Sequence, residues 1–86
     1  MSVSLAAHVT VVDTDGDAMV LLDERTGKYR QLNPTGALVL RLLLRGATAE
    51  DAAAALAERY PQAGAGAGED VARLLEALRQ AGLLRH

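Results

Sequence analysis

Over residues 8–32 apolar and polar positions alternate in short runs, and from residue 33 onward the apolar spacing changes to threes and fours. "HVTVV" (8–12) alternates and is rich in β-branched residues, "DTDGD" (13–17) is turn-forming, and "AMVLL" (18–22) is a second apolar run. "DERTG" (23–27) is another turn, and "KYRQL" (28–32) is a shorter strand with charges at alternate positions. Connections this short predict a three-stranded antiparallel meander.

Asn33 then suits a helix N-cap and Pro34 the first helical position, and "ALVLRLLLR" (37–45) runs on until Gly46 supplies the residue after the C-cap. This helix is apolar on almost every side, which predicts a central helix touching the sheet on one side and other helices on the rest. After two residues Thr48 caps a second helix, with Asp51 at the reciprocal capping position and Pro61 as the stop. Helices joined so tightly form a helix-turn-helix unit. "PQAGAGAG" (61–68) reads as a flexible linker, because its glycines lose too much backbone entropy to hold a helix. A third helix is expected over 69–82, with Glu69 and Asp70 at its positive end and Gly82 ending it. Val71, Leu74, Leu75 and Leu78 form one stripe on it, and Leu83 and Leu84 are expected to fold back onto the core. The expected fold is α+β and winged helix-turn-helix-like, a three-stranded antiparallel sheet followed by three helices, in a single domain over 1–86.

A chain of 86 residues forms one modest core with little volume for an enclosed active site. Cysteine is absent, which removes thiolate and disulfide chemistry. Without an export signal, a lipidation motif or a long apolar run, the expected location is cytoplasmic and no membrane partner is expected. The net charge is −2, with five acids and five bases over 1–46 and six acids against four bases over 47–86. That balance argues against a nucleic-acid surface, which needs clustered Lys and Arg. Glu50, Asp51 and Glu58 on the second helix, and Glu69, Asp70 and Glu76 on the third, would repel a phosphate backbone.

The chemical motifs fail in detail. Asp13, Asp15, Asp17 and Glu24 fall at positions 1, 3, 5 and 12 of a calcium loop, but position 6 is Ala18 and an apolar strand intervenes. A solvated hairpin turn accounts for these residues. His8 and His86 lie near opposite ends of the chain with no metal spacing, so His8 is expected to be exposed or strand-facing. Ser2 and Ser4 have no base nearby in sequence. "GAGAGED" lacks the Lys and Ser/Thr of a phosphate loop. No metal, no cofactor and no enzymatic activity are expected. The third strand has two readings that sequence physics leaves open: an edge guarded by Lys28 and Arg30, or an edge that an incoming peptide completes beside a helix.

Gly27, Tyr29, Leu32, Asn33, Thr35 and Gly36 follow the pattern G-x-Y-x-x-L-N-x-T-G, and "GLL" stands at 82–84. On these residues the chain, over 9–84, resembles the PqqD-like family, and within it the stand-alone precursor-recognition elements of lasso peptide biosynthesis. The resemblance implies a non-catalytic binder of a precursor leader peptide, taken up as an added strand on the third strand in a groove closed by the third helix. It implies a site at Lys28, Tyr29, Arg30, Gln31 and Leu32 and along the stripe of Val71, Leu74, Leu75 and Leu78. It further implies delivery of the precursor to a separate leader peptidase and then to a macrolactam synthetase, and a leader carrying a Tyr-x-x-Pro pattern. The alternatives are a peptide carrier of pyrroloquinoline quinone biosynthesis and a helix-turn-helix DNA-binding regulator.

Overall fold

β1 (Val9–Asp13), β2 (Met19–Asp23) and β3 (Lys28–Leu32) form an antiparallel sheet in the order β1-β2-β3. The computed structural model describes residues 3–13 and 17–85. The turn expected over 13–17 falls largely on positions 14–16, outside the described residues, as do Ser2 and His86. Leu21 stands opposite both Val11 and Arg30, so these three share the sheet's inner face with Met19 and Leu32. That face is dry at its centre, with Met19 2% and Leu21 0% exposed. The β2–β3 turn closes where the Asp23 carbonyl accepts from the N–H groups of Thr26 and Gly27, and Gly27 takes a positive φ of 76° there.

α1 (Pro34–Leu44) and α2 (Ala49–Arg59) begin as their caps dictate. The Asn33 side chain accepts from the Gly36 N–H at 2.9 Å, and Thr48 Oγ1 accepts from the Asp51 N–H at 3.0 Å. Gly46, at φ 101°, follows the C-cap of α1, where its N–H bonds Leu43 O and the Ala47 N–H bonds Leu42 O. α1 is the wall between two apolar clusters. Its Ala37 and Leu40 pack with Met19, Leu21, Leu32, Leu78 and Leu83, while its Val39 and Leu43 pack with Ala52, Leu56, Ala67 and Val71.

The segment after α2 corrects the expected flexible linker. Pro61–Gly66 is a 3-10 helix, and α3 (Ala67–Gln80) starts two residues before Glu69. The turn runs alongside α2, and a Cβ at Gly64 would make only an ordinary 4.0 Å contact with the Ala57 side chain. Ala67, 3% exposed, then plugs the second cluster and anchors the start of α3. After α3 the N–H of Leu83 bonds Leu78 O and the N–H of Gly82 bonds Arg79 O, which turns Leu83 into the first cluster.

Residues 4–6 make a clasp with the end of the chain. Leu5 and Leu84 form an antiparallel bridge, Ala6 N–H donates to Leu83 O, and Arg85 N–H donates to Ser4 O. His8, half-buried ahead of β1, hydrogen-bonds the Gly82 carbonyl through Nε2 at 3.1 Å. The bland expectation for His8 therefore misses its structural part: it ties the sheet to the turn after α3.

Candidate functional site

β3 is an edge strand, and its alternation decides which backbone groups are free. Glu24 N–H donates to His8 O, so residues 20, 22 and 24 turn their backbone groups toward β1, and residues 19, 21 and 23 toward β3. Through the register, Lys28, Arg30 and Leu32 face β2. Tyr29 and Gln31 thus present their N–H and C=O groups to the open edge, where no described strand pairs with them.

Two cavities lie along that edge on the inner side of the sheet. The larger, about 450 Å³, runs from Arg30 past Asn33 and Gly36 to Asp70, Arg73, Leu74 and Ala77 of α3. The second, about 350 Å³, is lined by Leu21, Asp23, Arg25, Lys28, Ala81 and Leu83, among others. Arg30 borders both. Positions 70, 73, 74, 77 and 81 recur at helical spacing, so one side of α3 and its C-terminal end walls the whole groove.

The expected site residues divide accordingly. Lys28 and Arg30 line the cavities and are exposed. Leu32, 5% exposed, is core. Tyr29 borders the smaller cavity but is 70% exposed, since its register with Leu22 places it on the outer face of the sheet with Gln31. Of the α3 stripe, Leu74 lines the larger of these two cavities and the other three line neither. Val71 and Leu78 are 1% and 0% exposed in the core, and half-buried Leu75 packs on the second cluster. Asp70, Arg73 and Ala77 were not expected in a site. Their signal was small or polar residues one step round the helix from the leucine stripe, which hydrophobic periodicity does not register.

The motif residues mostly build the frame of the groove. Thr35 Oγ1 donates to Asn33 Oδ1 at 2.9 Å, beside the Gly36 N–H bond to the same oxygen. A Cβ at Gly36 would lie 3.2 Å from that oxygen, tighter than an ordinary contact, so a larger residue there would press on the Asn33 cap.

The carboxylates of the groove are engaged. Asp70 pairs with Arg73 at 3.4 Å. Asp23 accepts from the Arg25 N–H at 3.0 Å and lies 3.8 Å from the Arg25 guanidinium and 3.9 Å from His8. Burial pushes the Asp23 carboxyl up, but the Arg25 N–H, with the charges of His8 and Arg25 and the Thr26 N–H, outweighs it and holds the group below the ordinary carboxylate value. No group of His, Cys, Asp and Glu among the described residues is placed to hold a metal ion, and no helix among them is long and apolar enough to cross a membrane.

The family model for coenzyme PQQ synthesis protein D (PqqD) matches residues 18–84. Among solved structures the chain is similar to a lasso peptide synthetase B1 complexed with the leader peptide, at 36% identity and a TM-score of 0.90, with 100% of both chains covered. It is also similar to TbiB1 in complex with the TbiA(beta) leader peptide, at 28% identity and a TM-score of 0.83, covering 99% of this chain and 95% of that one. No curated protein matches the chain in sequence.

Proposed function

Since the chain belongs to the PqqD family, we propose that it is a non-catalytic binder of the leader region of a ribosomally made lasso precursor peptide. The observation that carries this reading is the open edge of β3 above two cavities, in a chain similar over its full length to a lasso peptide synthetase B1 solved with its leader. The leader joins the sheet as a fourth strand beside α3.

Tyr29 and Gln31 offer two donors and two acceptors to that strand. Four such bonds contribute roughly 0.5 to 1.5 kcal/mol each, whereas ordering each leader residue costs about 1 to 2 kcal/mol. Backbone pairing alone is near break-even. Affinity therefore comes from side chains that fill the cavities, each buried apolar anchor adding roughly 1.5 to 3 kcal/mol. Leader residues opposite Lys28, Arg30 and Leu32 point inward, and those opposite Tyr29 and Gln31 point outward. A Tyr-x-x-Pro pair has odd spacing, so within a regular strand only one of the two points inward, and the other lies on the outer face or beyond the paired residues.

Cleavage and cyclisation belong to separate proteins, a leader peptidase and a macrolactam synthetase, to which this chain presents the precursor. The absence of cysteine and the pairing of Asp23 and Asp70 with arginines support a binding role. A pyrroloquinoline quinone peptide carrier would use the same edge, but the full-length similarity to a lasso peptide synthetase B1 favours the lasso reading. Exposed Glu50, Asp51 and Glu58 on α2 disfavour a DNA-binding regulator. The test is a fluorescence-polarisation titration with the labelled leader of the lasso precursor encoded nearest to this gene. Saturable binding at micromolar concentration or below is expected, with no cleavage of the full precursor by this chain alone. Absence of binding, or turnover of the precursor, would overturn the reading.

A further inference from the structure

We infer that the groove reads charge as well as shape: Lys28 and Arg30 select a leader strand that carries a carboxylate side chain at the inward-facing position opposite Arg30. This deepens the leader-binding reading and rests on it.

Lys28 and Arg30 lie on the same face of β3 as buried Leu32, so both stems start on the groove side of the sheet. Both are exposed, and neither has an ionic partner among the described residues. The carboxylates nearest to them in the cavity walls are taken, Asp23 by Arg25 and Asp70 by Arg73. The charged lining of the two cavities consists of Arg25, Lys28, Arg30 and Arg73 against Asp23 and Asp70, an excess of cations in a chain whose net charge is −2. Alternate positions on one strand face are about 7 Å apart, within reach of long side chains on a neighbouring strand. One Asp or Glu opposite Arg30 can therefore meet both cations.

Arg30 stands between the cavities, so the inward positions on either side of that carboxylate fall over apolar walls, Leu74 and Ala77 in one and Leu21 and Leu83 in the other. The preferred segment reads apolar-x-acidic-x-apolar.

The experiment is a selection of random ten-residue peptides displayed on mRNA against the whole protein, against Arg30→Glu, and against a Lys28→Gln, Arg30→Gln double variant. Gln31→Pro serves as the edge control. Peptides enriched on the parent are expected to carry Asp or Glu between two apolar residues, and Arg30→Glu is expected to enrich Lys or Arg at the same position. A synthetic representative should bind the parent about fivefold more tightly than its Asn or Gln counterpart, and the double variant should erase that difference. The double variant keeps the comparison decisive if Arg30→Glu fails to fold. Enriched peptides with paired apolar anchors and no charge preference would overturn the selection of a carboxylate and leave the groove reading standing. Failure to enrich any peptide that depends on the β3 edge would overturn both.

Discussion

Asp23 shows how one side chain can bind the sheet, the hairpin and the groove together. Its carbonyl closes the β2–β3 turn, and its carboxylate gathers the Arg25 N–H, the Arg25 guanidinium and His8 at the end of the smaller cavity. Because the folded-state pKa is lowered, the native state binds this proton less readily than the unfolded chain does. Its contribution is therefore complete above the unfolded carboxylate value of about 3.9 and is lost as pH falls through the lower folded value. Urea midpoints of the parent and Asp23→Asn should differ most near about pH 6 and converge toward about pH 2. A constant gap across that range would show that the charge is immaterial. At this scale the glycines and caps were legible, because Asn33, Thr48, Gly46 and Gly82 act through local backbone bonds that their neighbours in sequence complete. His8 was not, because its partners Gly82 and Asp23 come from other parts of the chain.

Among the elements, β3 and α3 each divide their work by face or edge. Arg30 turns its N–H to β2, so Arg30→Pro removes a ladder bond and should unfold the sheet, whereas Gln31→Pro removes only a donor on the open edge. Circular dichroism melting should show Gln31→Pro folded while leader titration shows binding lost. Full affinity in a folded Gln31→Pro would rule out strand addition there. On α3, Leu75→Asp puts a carboxylate against the second cluster and should lower stability by about 2 kcal/mol, with little change in affinity once folded. Ala77→Phe instead fills the larger cavity and should weaken leader binding about tenfold with the melting temperature unchanged. Leu74→Asp should do both, since Leu74 touches both clusters and the cavity. The limits of β3 were legible in "KYRQL" and its flanking turns, and so was the core side of α3 in its stripe. The groove side was not, because hydrophobic periodicity does not register small residues such as Ala77 that line the larger cavity. The 3-10 helix escaped notice because glycine frequency counts backbone entropy but not the packing of the segment against α2 and α3.

The whole molecule joins two apolar clusters through α1 and closes its sheet side with a clasp between the two ends of the chain. The order of strands and helices was legible because each connection is short. The clasp was not, since no local pattern links residue 5 to residue 84. So small a domain holds its fold by a narrow margin, and a ligand that adds a strand and fills two cavities must change its apparent stability markedly. Binding to the native state alone stabilises by about 2.7 kcal/mol when free leader stands at one hundred times its Kd. For a domain of this length each kcal/mol moves the melting temperature by about 4 to 8 °C, so saturating leader should raise it by roughly 10 to 20 °C. The same leader should leave the melting temperature of Gln31→Pro where it was, because that variant keeps the fold and loses the edge. Differential scanning fluorimetry across a leader series reads both. Equal upward shifts in parent and variant would mean that the peptide binds away from β3, and a parent that does not shift with saturating leader would mean that it does not bind the native state.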